Sequence, residues 1–548
     1  MLKGRMIKHS AAHRRQYVQP ATSKRLLGPG QLYYAYRNTR THDDPPGMTK
    51  RQRNERANGT AKDGAPDEGP LYARIRDELA AKIASGKLKD GTKLPTVREL
   101  ARERAINPMT VARAYRELAE RGFIIARPGS GSYVSRPGRP PAGNGRTAVA
   151  VDPSIDPGGI SSRLFELARA PGVIAFTGNY PSVDMSDAAS FAHCLQEALA
   201  RGAIEYFRYD PPAGREELRE ALLPFLATQG IDARPGNLIV TSGGQQGMDI
   251  VARSLLRRGD RVILEEPAYF GAINVVRAAG AVPVPLRFGP KGFDLDEVED
   301  AIRRHHPRLI IINPTFQNPT GHSVPLDQRR GLVRLALEHG VPILEDDHSP
   351  ELRFRGDALP PLRALPDAEQ VVYYTRGFGK TFIPGVRLGF LLPARGGLNG
   401  CLEIKATTDL QSPALLQGAL ANYFKQTDWR DYVTRACAAY RARQEQLFDI
   451  LIDKVGDYGR LLLPEGGLSL WLELAGEINA REVYFNAVRR GVAFAVADSF
   501  SFRPDQPSAL RISFGLTDPK DYEEGASRLA HVLRNVVSPR RPLSSAFV

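Results

Sequence analysis

The chain has 548 residues and a formal net charge of +14, which is too long for one compact domain. Its hydrophobic content of 42% and the lack of any apolar run near ~18 residues exclude wholesale disorder and a membrane span. The three cysteines, Cys194, Cys401 and Cys437, are far apart and odd in number. They indicate neither a disulfide framework nor a metal site, and they fit a reducing, cytoplasmic location.

The positive charge is concentrated in the first quarter of the chain. Residues 1–65 carry a net charge of +10, residues 66–139 carry +6, and residues 140–548 carry −2. The first segment has few apolar residues and no periodicity, so we expect a disordered basic arm over 1–65, with Met48 as an alternative start. Such a balance is typical of a chain with a polyanion partner, most often nucleic acid, but charge alone favours a solvated face beside a disordered tail.

Proline- and glycine-rich sequence divides the rest of the chain. The segment 137–159, PGRPPAGNGRTAVAVDPSIDPGG, is typical of a linker between separately folded units. We therefore expect a small domain over 66–136, a large domain over 160–537 and a disordered tail over 538–548.

The small domain has the pattern of three helices and a hairpin. Apolar residues at helical spacing over 71–83 predict the first helix. Thr96, with Glu99 three residues later, predicts a capping box that begins the second helix. Asn107 and Pro108 suit the cap and first position of a third helix, and FIIARPGSGSYV predicts a hairpin. This combination predicts a winged helix-turn-helix.

The run from 70 to 134 resembles the DNA-binding domain of GntR-type bacterial regulators. The segments PLY, LPTVRELA, NPMTVARAYREL and GSGSYV carry the resemblance, and their combination is specific. It implies that double-stranded DNA is a partner, since the second helix of this motif enters the major groove.

The resemblance also implies where DNA is contacted. Arg98, Thr110 and Arg113 are the candidates for phosphate or base contacts, and Gly131 lies in the wing tip at 129–132. Pro108 stands where many members have arginine, so part of their base readout is not expected here. For Arg113, a solvated helix face stays an open alternative.

Seven mostly apolar segments of the large domain predict the buried strands of a largely parallel sheet. They are 238–241, 261–266, 281–286, 308–313, 341–346, 371–375 and 387–392. Helical patterns such as 326–340 lie between them, which indicates a three-layer α/β domain. Ligands of such domains bind at the carboxyl ends of the strands.

Chemically active residues follow these strands. Glycines open a helix after the first strand, which suits a phosphate or a simple tight turn. Tyr269 follows the second strand, where a packed core aromatic is the alternative. Three carboxylates at 345–347 end the fifth, and are either functional or a solvated strand end. Lys380 and Arg387 flank a Pro-Gly turn after the sixth.

The order of glycine-rich turn, aromatic residue, NPTG, Asp, Lys and Arg resembles fold-type I enzymes that use pyridoxal 5'-phosphate. The resemblance implies a mainly parallel seven-stranded sheet plus a small C-terminal α+β subdomain. Lys380 is then the catalytic residue that forms the Schiff base, and Asp346 pairs with the pyridinium nitrogen. Arg511 would bind the carboxylate of a substrate or effector. The other implied cofactor contacts are Gly244, Gln245, Arg387, Tyr269, Asn318, His348 and, from a partner subunit, Tyr209.

Two positions depart from the family pattern. His348 stands where the family usually has tyrosine at the phenolic oxygen, and it is still able to donate a hydrogen bond. Gly377 stands where many members have a serine or threonine phosphate ligand. Phosphate binding is therefore expected to be weaker, or to be helped by Arg376.

A GntR-type head followed by an aminotransferase-like domain resembles the MocR/PdxR-like regulators. This implies a homodimeric transcriptional regulator that senses an amine, an amino acid or pyridoxal 5'-phosphate itself through an aldimine site. One alternative is a working aminotransferase with a vestigial DNA-binding head. Another is a DNA-binding protein whose large domain serves only to dimerise.

Overall fold

The computed structural model of the chain describes residues 71–134 and 166–537, apart from 86, 90, 121–122, 128–130, 168 and 477. The predicted arm, linker and C-terminal tail lie outside the described residues, as do residues 129 and 130 of the predicted wing tip. The chain divides between Arg139 and Pro140 into two compact units. Neither the domain boundaries predicted at 136 and 160 nor the state of those segments is tested by the described residues.

The N-terminal unit contains three helices and a two-stranded antiparallel hairpin. These are α1 (Leu71–Ala84), α2 (Val97–Glu103), α3 (Pro108–Glu120), β1 (Ile124–Arg127) and β2 (Gly131–Val134). Apolar residues from all three helices and from both strands form one buried core. The predicted winged helix-turn-helix is confirmed.

Capping residues set where the second and third helices of this unit begin. The hydroxyl of Thr96 accepts the N–H of Glu99 at 3.3 Å, and the N–H of Thr96 donates to the Glu99 carboxylate at 2.7 Å. The side chain of Asn107 accepts the N–H of Met109 at 2.8 Å. Both caps were expected from the sequence, because a short polar side chain satisfies helix N–H groups that lack an internal partner.

The C-terminal unit contains a seven-stranded sheet that includes every strand predicted for it. The strands are β4 (Ile239–Thr241), β5 (Arg261–Glu266), β6 (Val282–Arg287), β7 (Leu309–Ile312), β8 (Ile343–Asp346), β9 (Val372–Gly377) and β10 (Gly389–Leu392). Their order is β4-β10-β9-β8-β7-β5-β6, and β10 runs antiparallel to both of its neighbours. The remaining pairs are parallel, as expected.

Helices cover both faces of this sheet, which explains why most residues of its inner strands are apolar and buried. They include α7 (Gly244–Leu255), α8 (Phe270–Ala278), α9 (Leu295–His305), α10 (Leu326–His339) and α11 (Leu398–Asp409). Alternate residues of one strand point to opposite faces. Val262 and Leu264 accordingly pack with α7 and α8, whereas Ile263 packs with α9 and α10.

A second sheet of five strands forms the expected C-terminal α+β subdomain. Its strands are β3 (Ile174–Phe176), β11 (Gly459–Leu462), β12 (Ser469–Leu474), β13 (Val492–Val496) and β14 (Ala509–Ser513). Their order is β11-β12-β14-β13-β3, and β3 pairs in parallel with β13, Ile174 opposite Val492. The participation of β3, which lies far away in sequence, was not predicted.

The remaining helices of this unit pack around the two sheets. They are α4 (Ala188–Gly202), α5 (Glu216–Ala221), α6 (Leu223–Thr228), α12 (Ala414–Gln426), α13 (Trp429–Val455), α14 (Ala480–Arg489) and α15 (Tyr522–Val537). Among the described residues, no helix is both long enough and apolar enough to cross a membrane.

Candidate functional site

Three loops converge at the carboxyl ends of β4, β8 and β9. A Cβ atom placed on Gly244 would lie 3.4 Å from the N atom of Gly377 and 3.5 Å from Oδ1 of Asp346. A Cβ on Gly377 would lie 2.9 Å from the N atom of Gly244, which is closer than real side chains approach backbone. Glycine is therefore required at 377 to let the two backbones approach each other, whereas a Cβ at 244 would make only ordinary contacts.

This convergence forms a corner suited to an anion. The N–H groups of Gly244 and Gln245, at the start of α7, have no acceptor within the described part of the chain. A Cβ on Gly243 would lie 3.3 Å from a terminal nitrogen of Arg387, so the guanidinium lies beside the same turn. Arg387 donates to the Ser242 carbonyl at 3.2 Å and is otherwise exposed. Free helix N–H groups with an adjacent guanidinium match the needs of a phosphate.

Lys380 lines a small cavity of about 60 Å³, together with Asn179, Tyr180, Tyr269 and Arg511. Its ammonium donates to the carbonyl of Asn179. Burial, reinforced by Arg511, lowers the pKa of Lys380 to about 7, although Asp346 acts in the opposite direction. A large fraction of this amine is therefore neutral at neutral pH, the form that attacks a carbonyl.

Asp346 ends β8 as a buried carboxylate. Burial and the neighbouring Asp347 raise its pKa to about 7. A cationic group placed against it would lower that pKa again and be stabilised in return. The position therefore suits a protonated ring nitrogen.

Asn313 fixes the protonation of His348. Its amide nitrogen donates to the backbone carbonyl of Asp346 at 2.6 Å and lies 3.2 Å from Nδ1 of His348. Burial and the charge of Lys380 lower the pKa of His348 to about 3, so the ring is neutral. Because Nδ1 accepts from an amide donor, the ring hydrogen is on Nε2. His348 is thus a hydrogen-bond donor, as its replacement of the family's tyrosine requires.

Arg511 links the two sheets beside Lys380. It donates to Oδ1 of Asn318 at 2.8 Å and to the carbonyl of Thr177 at 2.8 Å, while its Nε has no partner among the described residues. Burial lowers its pKa to about 10, which leaves it cationic at neutral pH. Asn318 is held in turn by its own N–H, which donates to Asn313 at 2.9 Å.

Thr177, Asn179 and Asn313 take part in this network but were not singled out from the sequence. Asn313 is the first residue of the NPTFQNPTG segment, so its position directly after a strand was a usable signal. Thr177 and Asn179 contribute backbone carbonyls, for which residue identity carries no signal.

The solvated alternative for the carboxylates at 345–347 is wrong. All three are buried. Glu345 accepts the N–H groups of Leu362 and Arg363 at 2.7 and 2.9 Å, and Asp347 accepts the Tyr374 hydroxyl at 2.8 Å. Asp346 interacts electrostatically with Lys380, while Glu345 binds the turn at Leu362 and Asp347 binds a side chain of β9.

Arg376 does not lie at the phosphate corner, although one expectation from the sequence was that it would help to bind the phosphate. Its guanidinium is fully buried, forms an ion pair with Glu351 and lies 4.8 Å from the centre of the Phe225 ring. The missing serine or threonine at Gly377 is therefore not replaced by Arg376.

Tyr209 is 87% exposed and makes no hydrogen bond to the described residues around Lys380. Ile204 and Phe207, on the preceding turn, are 69% and 76% exposed. The N–H of Asp210 donates to Gln411, which brings the exposed Leu410 to the same surface.

The candidate DNA-contacting residues of the N-terminal unit differ in whether their side chains already contact other residues of the unit. Arg98 is exposed on α2 without a hydrogen-bond or ion-pair partner in the described part of the unit. Arg113 is exposed on α3, but its guanidinium lies 3.7 Å from the centre of the Tyr72 ring and donates to the Tyr72 hydroxyl at 2.9 Å.

The other two candidates are less exposed. Thr110 is half-buried in the first turn of α3, and its N–H bonds the Asn107 carbonyl at 3.0 Å. Gly131, with φ of 115°, begins β2 beside the side chain of Lys93. DNA contact by these residues stays a prediction.

Comparison with known proteins matches both units to families. Residues 71–134 match the family model "Bacterial regulatory proteins, gntR family". Residues 173–529, more than half of the chain, match "Aminotransferase class I and II". The chain belongs to the aminotransferase class I and II family. Its two matches together are the combination found in MocR-type GntR regulators, so the resemblance drawn from the sequence is confirmed.

Similar proteins include both regulators and enzymes. The chain is 29% identical to the probable rhizopine catabolism regulatory protein MocR of Rhizobium meliloti, covering 84% of this chain and 93% of that one. It is 30% identical to the 2-aminoadipate transaminase of Thermus thermophilus, covering 68% and 94% respectively.

Among solved structures, the α-aminoadipate aminotransferase LysN of Thermus thermophilus, complexed with N-(5'-phosphopyridoxyl)-L-leucine, superposes with a TM-score of 0.64 at 28% identity. The match covers 69% of this chain and 98% of that one. The family depends on pyridoxal 5'-phosphate, and the expected fold and cofactor are confirmed. The roles of individual residues stay predictions.

Proposed function

We propose that the chain is a transcriptional regulator whose aminotransferase-like unit controls how its winged helix-turn-helix binds promoter DNA. The observation that carries the proposal is the presence, in one chain, of a GntR-type head with three helices and a hairpin and of a Lys380–Asp346–Arg511 cluster. Similarity to a protein described as a regulatory protein over 84% of the chain supports it. A regulator acting on promoter DNA would operate in the cytoplasm of a bacterium.

The residues present fit pyridoxal 5'-phosphate. The N–H groups of Gly244 and Gln245, with Arg387, would hold the phosphate. Asp346 would pair with the ring nitrogen, and His348 would donate from Nε2 to the phenolic oxygen. Asn318 would assist there, and Tyr269 would stack on the ring.

When bound, the cofactor supplies an aldehyde that condenses with amines. Lys380, about half neutral near pH 7, would hold it covalently until an amine competes. Arg511 would select effectors that carry a carboxylate, since its unpartnered Nε and fixed guanidinium favour a planar anion. An amino acid or a similar amine is therefore the effector class.

Pyridoxal 5'-phosphate alone is a second possible signal. Either ligand would act by binding one conformation of the large unit more tightly than another, which is the condition for coupling to a distant DNA site.

The exposed surface around Tyr209 supports a homodimer. Ile204, Phe207, Tyr209 and Leu410 expose large apolar side chains in one region, which is unusual for a surface that stays in water. In a dimer, Tyr209 of one chain would reach the phosphate corner of its partner. Two heads would then bind paired half-sites.

The test is DNA binding by the full chain with and without pyridoxal 5'-phosphate and a panel of amino acids and amines. The DNA is a fragment that carries the promoter next to the gene encoding this chain. We expect at least one ligand to change the affinity, and the change to disappear in Lys380→Ala while basal DNA binding remains. DNA binding that ignores every ligand would contradict the proposal and leave a dimerising role for the large unit.

A working aminotransferase is the second candidate, and the low pKa of Lys380 with the retained Arg511 favours it. The resemblance to a transaminase over 68% of the chain points the same way. Sustained transfer of amino groups to an oxoacid, with no ligand effect on DNA binding, would establish it instead.

A further inference from the structure

A second and larger cavity, of about 670 Å³, is lined in part by Glu266 and Pro267, which precede Tyr269 of the Lys380 cavity in the chain. Its lining includes Glu266, Trp471 and residues of the loop before β14, and it shares no lining residue with the Lys380 cavity. We propose that it is a separate binding site for a small organic cation with an aromatic or apolar body. The inference concerns another site than Lys380 and does not rest on the proposed function.

Two buried acceptors in the lining have no hydrogen-bond donor. Oε1 of Glu266 and Oε1 of Gln506 are buried and lack a partner within the described residues. The other oxygen of Glu266 lies 3.5 Å from the N–H of Phe502, and the Ser501 side chain also interacts with this carboxylate. Buried acceptors without donors are costly, so the cavity favours an occupant that brings N–H groups.

The charge of the lining favours a positive occupant. Its carboxylates are Glu266, Asp294, Glu297, Glu473 and Asp505, and its cations are Arg287, Lys291 and Arg503. Carboxylates thus outnumber cations, and Arg503 is already paired with Asp505 at 2.9 Å. An organic anion would be placed against an excess of negative charge, whereas an ammonium group would be attracted.

His322 adds no positive charge to this balance near neutral pH. Burial, with the nearby charge of Arg460, lowers its pKa to about 4. Burial raises the pKa of Glu266, although the Ser501 side chain and the Phe502 N–H act against it. A bound ammonium would favour the ionised carboxylate.

Aromatic rings supply the apolar part of the wall. Trp471, Phe288 and Phe293 line the cavity, and all three are mostly buried in the protein. Tryptophan is the side chain that attracts organic cations most strongly through its ring face. The cavity volume is within the range of small-molecule sites.

The cavity is structurally connected to the Lys380 cluster. The carbonyl of Pro267, in the wall, accepts the side chain of Gln317 at 2.6 Å, next to Asn318. Trp471 is the register partner of Arg511 between β12 and β14. An occupant would therefore contact residues that position the first site.

The two tryptophans of the chain, Trp429 and Trp471, make the proposal testable by fluorescence. In Trp429→Phe, Trp471 is the remaining tryptophan and reports on the cavity. The probe is N,N-dimethylphenethylamine, a tertiary amine that cannot condense with an aldehyde. Titration into the full chain saturated with pyridoxal 5'-phosphate should change the emission saturably and without altering visible absorbance.

Three comparisons decide the outcome. Glu266→Gln should weaken probe binding by about tenfold or more, because a desolvated charge partner is lost. Glu297→Gln, at an exposed carboxylate of the same lining, should change it by less than about twofold. Lys380→Ala should leave it unchanged, so that failure here is distinct from failure of the Lys380 site.

Size-matched 3-phenylpropionate should not compete. Absence of saturable binding up to ~10 mM probe, where even weak complexes are populated, would overturn the proposal. Equal binding of the carboxylate, or indifference to Glu266→Gln, would overturn it as well. Calorimetry on the chain that retains Trp429 provides the same answer if Trp429→Phe does not fold.

Discussion

The two binding regions of this chain differ in how water surrounds their charges. In the helix-turn-helix unit, the candidate cations Arg98 and Arg113 are exposed. In the aminotransferase-like unit, Asp346 and Arg511 are buried and the pKa values of Lys380 and Asp346 both move to about 7. Exposed cations contribute DNA affinity that added salt weakens. Buried charges instead shift the pKa values of reactive groups, so that replacing one of them is expected to abolish the chemistry of the site.

The largest effect is expected for Asp346→Asn. The substitution keeps the shape but removes the negative charge that would face the ring nitrogen, so the affinity for pyridoxal 5'-phosphate should fall by roughly a hundredfold. Absorbance titration of the cofactor measures it. Asp357→Asn, at an exposed carboxylate, is the control and should have no effect. Equal affinities for the two variants would show that Asp346 does not face the cofactor.

Gly377→Ala should weaken the same binding by about tenfold or more. The new Cβ would come within 2.9 Å of the Gly244 N atom and force the phosphate corner open. Gly385→Ala adds the same methyl group where nothing lies within 4 Å, so it should bind normally. If both variants bind alike, the corner does not hold the phosphate.

The pH dependence of cofactor loading should follow Lys380. Its neutral fraction grows as pH rises through about 7, so the rate of reaction with pyridoxal 5'-phosphate should increase about tenfold between pH 6 and pH 8. An ordinary lysine would keep accelerating up to about pH 10. Stopped-flow absorbance on the cofactor-free chain distinguishes the two profiles.

The smallest effect is expected in the head. Arg98→Ala should weaken promoter binding by about five- to tenfold and reduce the salt dependence by about one phosphate contact. Arg334→Ala, at an exposed helix ion pair of the other unit, is the control. A salt slope identical to that of the unchanged chain would remove Arg98 from the DNA interface.

Arg113→Ala sharpens the contrast within the head. Its guanidinium is held over Tyr72, so this substitution should cost less DNA affinity than Arg98→Ala and more thermal stability of the unit. Parallel binding and melting measurements test both parts. A larger DNA effect at Arg113 would mean that the Tyr72 contact presents the side chain to DNA.

Local patterns were enough to predict the fold where neighbours in sequence decide structure. The Thr96–Glu99 capping box and the apolar strands around Ile263 and Ile310 are of this kind. The pairing of β3 with β13 was not predictable, because it joins segments about three hundred residues apart. A three-residue strand also carries little periodicity of its own.

The site shows the same limit. Lys380, Asp346 and Arg511 were expected, and the structure brings them into one cluster. The partnership of Arg376 with Glu351 was missed, because the sequence shows a free cation beside the lysine but not the buried carboxylate that neutralises it. The cavity at Glu266 was also missed, since its walls come from segments with no shared motif.

The short strand β3 has three attachments at once. It hydrogen-bonds to the edge of the five-stranded sheet, and the residues just after it offer the Thr177 carbonyl to Arg511 and the Asn179 carbonyl to Lys380. A ligand that shifts either cation would therefore act on the edge of the second sheet through this one backbone segment.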